Sequence, residues 1–327
     1  MICATAFIHL PGVVLPGEQC ALGPGRIARL PFETWQTLDP AFRDTDRKYE
    51  RSHPVFWIGD IPGETDDEAT PSVFEISFKL HLAFLLEETA PRLPTPSLST
   101  RYLRVRASSE ASEAPVTATK RLFGPMEREW LVFGSPLTCT YDAAALSRVA
   151  TMYGLVERTD PACSVRGIGA GLRTLEWTAR PDSWHGGDSL RHDINEFIHC
   201  VAASEHILLP SAEERLEGGI TEMFGRHAAA LLCHEPAALE ANAKGLSDVY
   251  RLRSRLIHGR IGARDLTERQ RAQLPLGRRL LREILVSALR LGTGNEGLDF
   301  PALLSDAFAN PIARDELRRR VAPERIP

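Results

Sequence analysis

The chain lacks any apolar run approaching the ~20 residues that span a bilayer as a helix, so a membrane protein is not expected. It also lacks paired cysteines. The six present (Cys3, Cys20, Cys139, Cys163, Cys200 and Cys233) lie far apart and form no C-x-x-C unit. Zinc ribbons and dithiol redox sites need such spacing, so the cysteines are expected to be reduced, mostly buried thiols of a cytoplasmic protein. Positive charge is not in excess either, the formal net charge being −4. A nucleic-acid site, if there is one, must therefore be a local patch. The first residues, MICATAFIHLPGVVLPGE, place no basic residue before their apolar ones, and no secretory leader is expected. Internal repeats and low-complexity tracts are missing as well.

What is present is an ordinary globular composition, 43% hydrophobic and 25% charged, on 327 residues, which suffices for two domains. The character changes near residue 140. Before it, prolines separate short apolar runs such as Val55-Phe-Trp-Ile-Gly59 and Trp130-Leu-Val-Phe-Gly134, whose β-branched and aromatic residues suit strands. Phe74, Ile76, Phe78, Leu80, Leu82 and Phe84 alternate like a strand, yet Thr70-Pro71 resembles a helix N-cap with proline at the first position, and ~14 residues is long for a strand. A helix is the preferred reading. Residues 107–115 suggest a loop.

Beyond 140 the signals are helical. Helices are predicted from Asp142 to Tyr153 and around Gly171 to Ala179. Gly167, Gly169 and Gly171 have the spacing of a phosphate loop, but no strand precedes them and no acid follows suitably, so a helix-initiating loop is expected. Asp188 to Leu209 carries Leu190, Ile194, Phe197, Val201 and Leu208 on one stripe. Ser211-Ala-Glu-Glu214 has a capping-box pattern for a helix reaching about Leu232, with Leu216, Ile220, Met223 and Phe224 on its apolar face. Pro236 suits the first turn of a third helix, which ends at Gly259, a natural C′ residue; a fourth runs from Leu276 to Leu291. Short joints between four such helices imply an antiparallel bundle. The fold class is thus α+β: a mixed, partly β region over 1–140, then an all-α region over 141–327 with its core at about 188–293.

Two charges interrupt the apolar pattern. Glu205 lies within the stripe of its helix, and Arg253 sits at the centre of the third helix's stripe, with Leu246, Val249, Tyr250, Leu256 and Ile257 within about 60° of it. Buried charges need partners, so Glu205 and Arg253 are expected to pair. His258 projects about 140° from Arg253, on a polar face with Arg251, Ser254 and Arg255. Between Arg251 and Arg282 there are ten arginines and two acids, Asp265 and Glu268. A solvated helix face is one meaning of that run.

Phosphodiester cleavage is the other. RNA supplies its own nucleophile, the 2′-OH; an imidazole titrates near neutrality and can move the proton, and an arginine fork can hold the phosphate. No metal or other cofactor is demanded. His185, His192, His199 and His206 recur every seven residues, but i and i+7 lie ~10.5 Å apart along a helix, too far to share one ion.

The stretch from Tyr250 through Arg253-Ser254 to His258-Gly259 resembles the signature of HEPN domains, in particular the Apea-like branch, where a tyrosine precedes Leu-Arg-Ser, a basic residue and His-Gly. The stretch from Ala202 to Leu209 is similar to that branch's first bundle helix, which carries a glutamate among apolar residues. The resemblance covers roughly residues 190–260. It implies a bundle that dimerises with arginine and histidine of both protomers in one cleft, and a metal-independent endoribonuclease of toxin, antiviral or RNA-processing type; other members bind RNA or nucleotides without cleaving, or act as scaffolds. On this basis Arg253, Ser254 and His258 are the candidate catalytic residues, while Arg260 and Arg264 would draw in RNA. Arg251, only ~20° from His258 on the wheel, is the rival arginine, and Arg255 and Glu205 are supporting residues. Residues 1–140 match no family pattern and are a candidate sensor for a protein or ligand trigger.

Overall fold

The computed structural model describes residues 3–10, 13–15, 17, 19–31, 33–34, 55–62, 66–87, 101–106, 117–122, 139–158, 165–178, 189–210, 219–233, 235–292 and 298–321. They divide into two compact units, Met1–Gly154 and Leu155–Pro327. Expectations for Trp130–Gly134, residues 107–115, the Ser211–Glu214 cap, Leu216 and His185 fall outside the described residues.

In the first unit β1 (Cys3–His9), β3 (Gln19–Leu22), β4 (Gly25–Arg29), β5 (Val55–Pro62), β6 (Arg101–Arg106) and β7 (Thr117–Leu122) form one antiparallel sheet in the order β3-β4-β5-β1-β6-β7. A short parallel pair joins β2 (Val13–Val14) to β8 (Cys139–Thr140). The apolar run seen in the sequence at Val55 is the core of this sheet: Phe56 and Trp57 are fully buried. Gly25 and Gly59 are register partners beside Trp57, and a Cβ on either would meet the indole at 2.6 Å or closer. The glycines therefore make the slot in which the ring lies, and its Nε1–H donates to the Leu22 carbonyl at 2.9 Å.

The ambiguous stretch is a helix, α1 (Asp66–Glu87), packed on β1, β5 and β6. Its buried positions Ala69, Val73, Ser77, Leu80 and Phe84 follow the helical period, which leaves Phe78 39% exposed. The alternation was thus a coincidence of apolar residues placed on two faces. The helix also starts earlier than Thr70-Pro71 suggested, and Pro71 lies inside it. Next comes α2 (Ala143–Arg158), capped where the Ala145 N–H donates to Asp142 Oδ1 at 2.6 Å. Tyr141 meets Phe84 edge-on at 5.1 Å and Arg148 Nε lies 2.6 Å from Glu87 Oε1, so the start of α2 belongs with the first unit. The division between the two compact units falls inside α2.

The second unit contains α3 (Ile168–Thr178), α4 (Ser189–Leu208), α5 (Ile220–Leu232), α6 (Leu239–Ile257), the four-residue α7 (Glu268–Arg271), α8 (Leu274–Gly292), α9 (Phe300–Ala309) and α10 (Pro311–Val321). Gly167, at φ +81°, opens α3, and Gly171 packs inside it against Leu285 and Ile207; the glycine run initiates and seats a helix, as expected. α5 and α6 form an antiparallel hairpin. Asn242 donates to Cys233 Sγ at one end, and the Ser247 hydroxyl donates to the Thr221 carbonyl at the other. α4 and α8 instead run in the same direction. Phe197 faces Gly277, while Ile207, two turns or more further on, shares the Gly171 contact with Leu281 and Leu285. The chain between Gly259 and Gln273 is long enough to return across the bundle, which a count of short joints does not reveal. Buried Arg314 donates to the carbonyls of Ala307 and Phe308, closing the end of α9.

Candidate nucleic-acid interface

The candidate site is built on the last two turns of α6. Leu239, Ala243, Val249, Tyr250 and Leu252 bury the apolar face of this helix, and it packs chiefly on α5 and also on α4. Arg253 follows on that face. Its Nη1 lies 3.4 Å from Glu205 Oε2 on α4, and its guanidinium stands over the Tyr250 ring, 5.7 Å from the centroid. The two charged side chains are 20% and 16% exposed, so the expected pair does form, at the edge of the bundle rather than at its centre. At 3.4 Å it is an ion pair looser than a charge-assisted hydrogen bond of ~2.8 Å. The Nε of Arg253 is shielded from solvent and has no hydrogen-bond acceptor among the described residues. The arginine is therefore held by charge and by the ring while part of its donor capacity stays unused.

Arg251 is placed differently. It bridges Asp248 at 2.9 Å and Glu222 on α5 at 3.1 Å, on the exposed side of the helix. Two carboxylates neutralise this rival arginine; a phosphate would have to displace them. Ser254 is half-buried, and its carbonyl accepts the His258 N–H at 3.1 Å, so the helical ladder continues regularly into His258. No kink brings Arg253 and His258 together within the chain, and the two diverge as the wheel anticipates.

The helix then ends in a Schellman motif. Gly259 adopts φ +64°, its N–H donates to the Leu256 carbonyl at 3.2 Å, and the Arg260 N–H donates to the Arg255 carbonyl at 2.9 Å. That closure leaves His258 exposed at the helix end. A connection of short turns follows. Ala263–Asp265 rests on α4, and Thr267 and Gln270 cap α7 reciprocally. Arg255, Arg260, Arg264, Arg269 and Arg271 are all exposed here, and among the described residues none of them makes an ion pair. Further along, Arg279 is engaged by Glu283 at 2.8 Å. The cationic run of the sequence thus resolves into arginines engaged by carboxylates, such as Arg251, Arg253 and Arg279, and exposed ones without an ion pair among the described residues, before and after His258 in the chain.

Tyr250 as the platform for Arg253 is legible from the i, i+3 spacing. Glu222 carried no such signal, because its meeting with Arg251 depends on the α5–α6 hairpin. Of the heptad-spaced histidines, His192 is buried beside Glu196, His192 and His199 both meet the Trp177 ring, at 6.2 and 5.1 Å between centroids, and His206 lies against Gly167. Among the described residues no group of three or more His, Cys, Asp or Glu side chains is arranged to hold a metal ion, and no helix is long and apolar enough to cross a membrane. Comparison with protein-family models, with curated proteins and with solved structures finds no match to this chain.

Proposed function

We propose that this protein is a metal-independent RNA endonuclease of the HEPN type, an effector in defence or toxin-like systems that works as a homodimer. The supporting observation is the end of α6: an arginine tethered by Glu205 and Tyr250 but not saturated, and one turn later an exposed histidine with exposed arginines before and after it in the chain. In the reaction His258 takes the proton from a ribose 2′-OH, the 2′-oxygen attacks phosphorus, and the bond from phosphorus to the 5′-oxygen breaks. The departing 5′-oxygen receives a proton, leaving a 2′,3′-cyclic phosphate. Arg253 neutralises charge on the non-bridging oxygens, Ser254 orients the phosphate, and Arg255, Arg260 and Arg264 hold the flanking backbone. Because Arg253 and His258 diverge on one regular helix, the scheme uses Arg253 of one protomer and His258 of its partner across a two-fold axis.

The test is RNA cleavage in EDTA by wild type and His258→Ala. Wild type should cut and the variant should lose about 10²-fold or more in rate at unchanged thermal stability. Equal rates would remove His258 from the chemistry.

The Glu205–Arg253 pair also favours a second reading, in which Arg253 is structural and the exposed arginines bind RNA without cutting it. Binding would then weaken with salt, and each of Arg255→Gln and Arg260→Gln would lower the log–log salt slope by about one. Wild-type cleavage in the same tubes would refute it.

A further inference from the structure

The second unit holds another polar constellation, remote in the fold's wiring from the end of α6 and unused above. His227 on α5 is 3% exposed. Its Nδ1 lies 2.8 Å from the carbonyl oxygen of Leu208, at the end of α4, and its Nε2 lies 2.7 Å from Ser305 Oγ on α9. A carbonyl oxygen can only accept, so Nδ1 carries the proton and Nε2 is the free lone pair to which the Ser305 hydroxyl donates. This is the arrangement in which a hydroxyl becomes a nucleophile: a base in contact with it, and a third group fixing the tautomer and direction of the base.

The surroundings supply a place for a substrate. His227 and Ser305 both line a cavity of about 450 Å³, with Ile207, Leu209, Met223 and Phe300 on its walls and Arg166 also on its lining. That volume falls in the range of small-molecule sites. Ser305 is an exposed residue on the cavity lining although its base is buried. A purely structural tie between α4, α5 and α9 would not need the cavity.

We infer that Ser305 and His227 form a nucleophile–base pair for acyl transfer, acting on small activated carboxylic esters that enter this cavity. As the Ser305 Oγ bonds to the carbonyl carbon its proton passes to Nε2; the bond from that carbon to the leaving oxygen breaks, and the leaving oxygen takes the proton. Water then gives a proton to Nε2 and adds to the acyl carbon, and Ser305 leaves with that proton. The net change is ester plus water to acid plus alcohol. Burial lowers the pKa of His227, the bond to Leu208 opposing this in part, so the imidazole is in its basic form at neutral pH. Its orienting partner is a neutral carbonyl, which stabilises a transient imidazolium less than a carboxylate does. That restricts the substrate class to esters with good leaving groups, such as aryl esters. The apolar walls suit a short acyl chain, and Arg166 offers a cation to the oxygen that gathers charge.

The experiment uses the full chain, wild type and Ser305→Ala, with p-nitrophenyl acetate as substrate and a fluorophosphonate as covalent probe. Ser305→Ala removes one hydroxyl of an exposed residue, and thermal melting checks that the fold is kept. Expected are a p-nitrophenol release about 10²-fold faster for wild type than for the variant, and one phosphonyl adduct mapped by mass spectrometry to Ser305. Turnover of the folded variant at the wild-type rate overturns the inference. So does a wild-type protein that carries no adduct on Ser305 after prolonged exposure to the probe.

Discussion

Replacing Glu205 with glutamine removes the charge facing Arg253 while nearly preserving shape. At the observed 3.4 Å, the attraction between unit charges is about 1 kcal/mol in water and about 5 kcal/mol at an effective dielectric constant of 20. The side chains are 20% and 16% exposed, which places the site between those limits. Breaking a fully buried pair costs about 3–5 kcal/mol and losing a surface pair about 0–1, so Glu205→Gln should cost about 2 kcal/mol. For a unit the size of Leu155–Pro327 this corresponds to a fall in Tm of about 4–8 °C. Tyr250 keeps its contact with the guanidinium, so Arg253 should stay in place. A double-mutant cycle with Arg253→Met, followed by urea denaturation, isolates the pair: the double variant should lose at least about 1 kcal/mol less than the two singles summed. The same proteins separate the two roles of the arginine. If Arg253 binds phosphate, Glu205→Gln should strengthen RNA binding while Arg253→Met weakens it. A Tm within 1 °C of wild type for Glu205→Gln, with coupling under about 0.3 kcal/mol, would refute the energetic reasoning.

Gly259→Val forces a β-branched residue into φ +64° and should lower the urea-unfolding free energy by about 1–2 kcal/mol, disordering the presentation of His258; an unchanged midpoint would show that the Schellman closure is dispensable. Gly277→Ala puts a Cβ 2.9 Å from the Phe197 ring and 3.1 Å from its Cα, so α4 and α8 must separate, at a cost of about 1–3 kcal/mol readable in the same denaturation. The pKa of His227 is lowered on folding, so the unfolded chain binds this proton first. Its contribution to stability is complete above the unfolded value of about 6.5 and is lost as pH falls below that towards the folded pKa; Tm measured between pH 7.5 and 5 should decline, and His227→Gln should flatten the decline.

The sequence alone determined the features that rest on local physics. Helix periodicity located α4, α6 and α8 to within about three residues, because one stripe of each must be buried whatever it packs against. Gly259 announced a helix end, since only glycine takes a left-handed φ without strain. The isolated charges Glu205 and Arg253 announced each other, because neither can lie in an apolar stripe alone. The start of α1 is not legible from Pro71, because proline is favoured in a first turn whereas Pro71 lies further in, at an exposed position.

Tertiary structure decided the rest. That Arg251 is neutralised by Glu222 depends on the register of the α5–α6 hairpin, which joins residues 29 apart. That α4 and α8 run side by side in one direction depends on the path of the chain after Gly259. The meeting of His227 with Ser305, 78 residues away, and with the last carbonyl of α4 requires three elements to converge, and no spacing in the sequence records it. Side-chain identity and periodicity act over a few residues and are written in order along the chain. Partnership between distant charges and the opening of a cavity are set only when the packed elements fix distances to within an ångström.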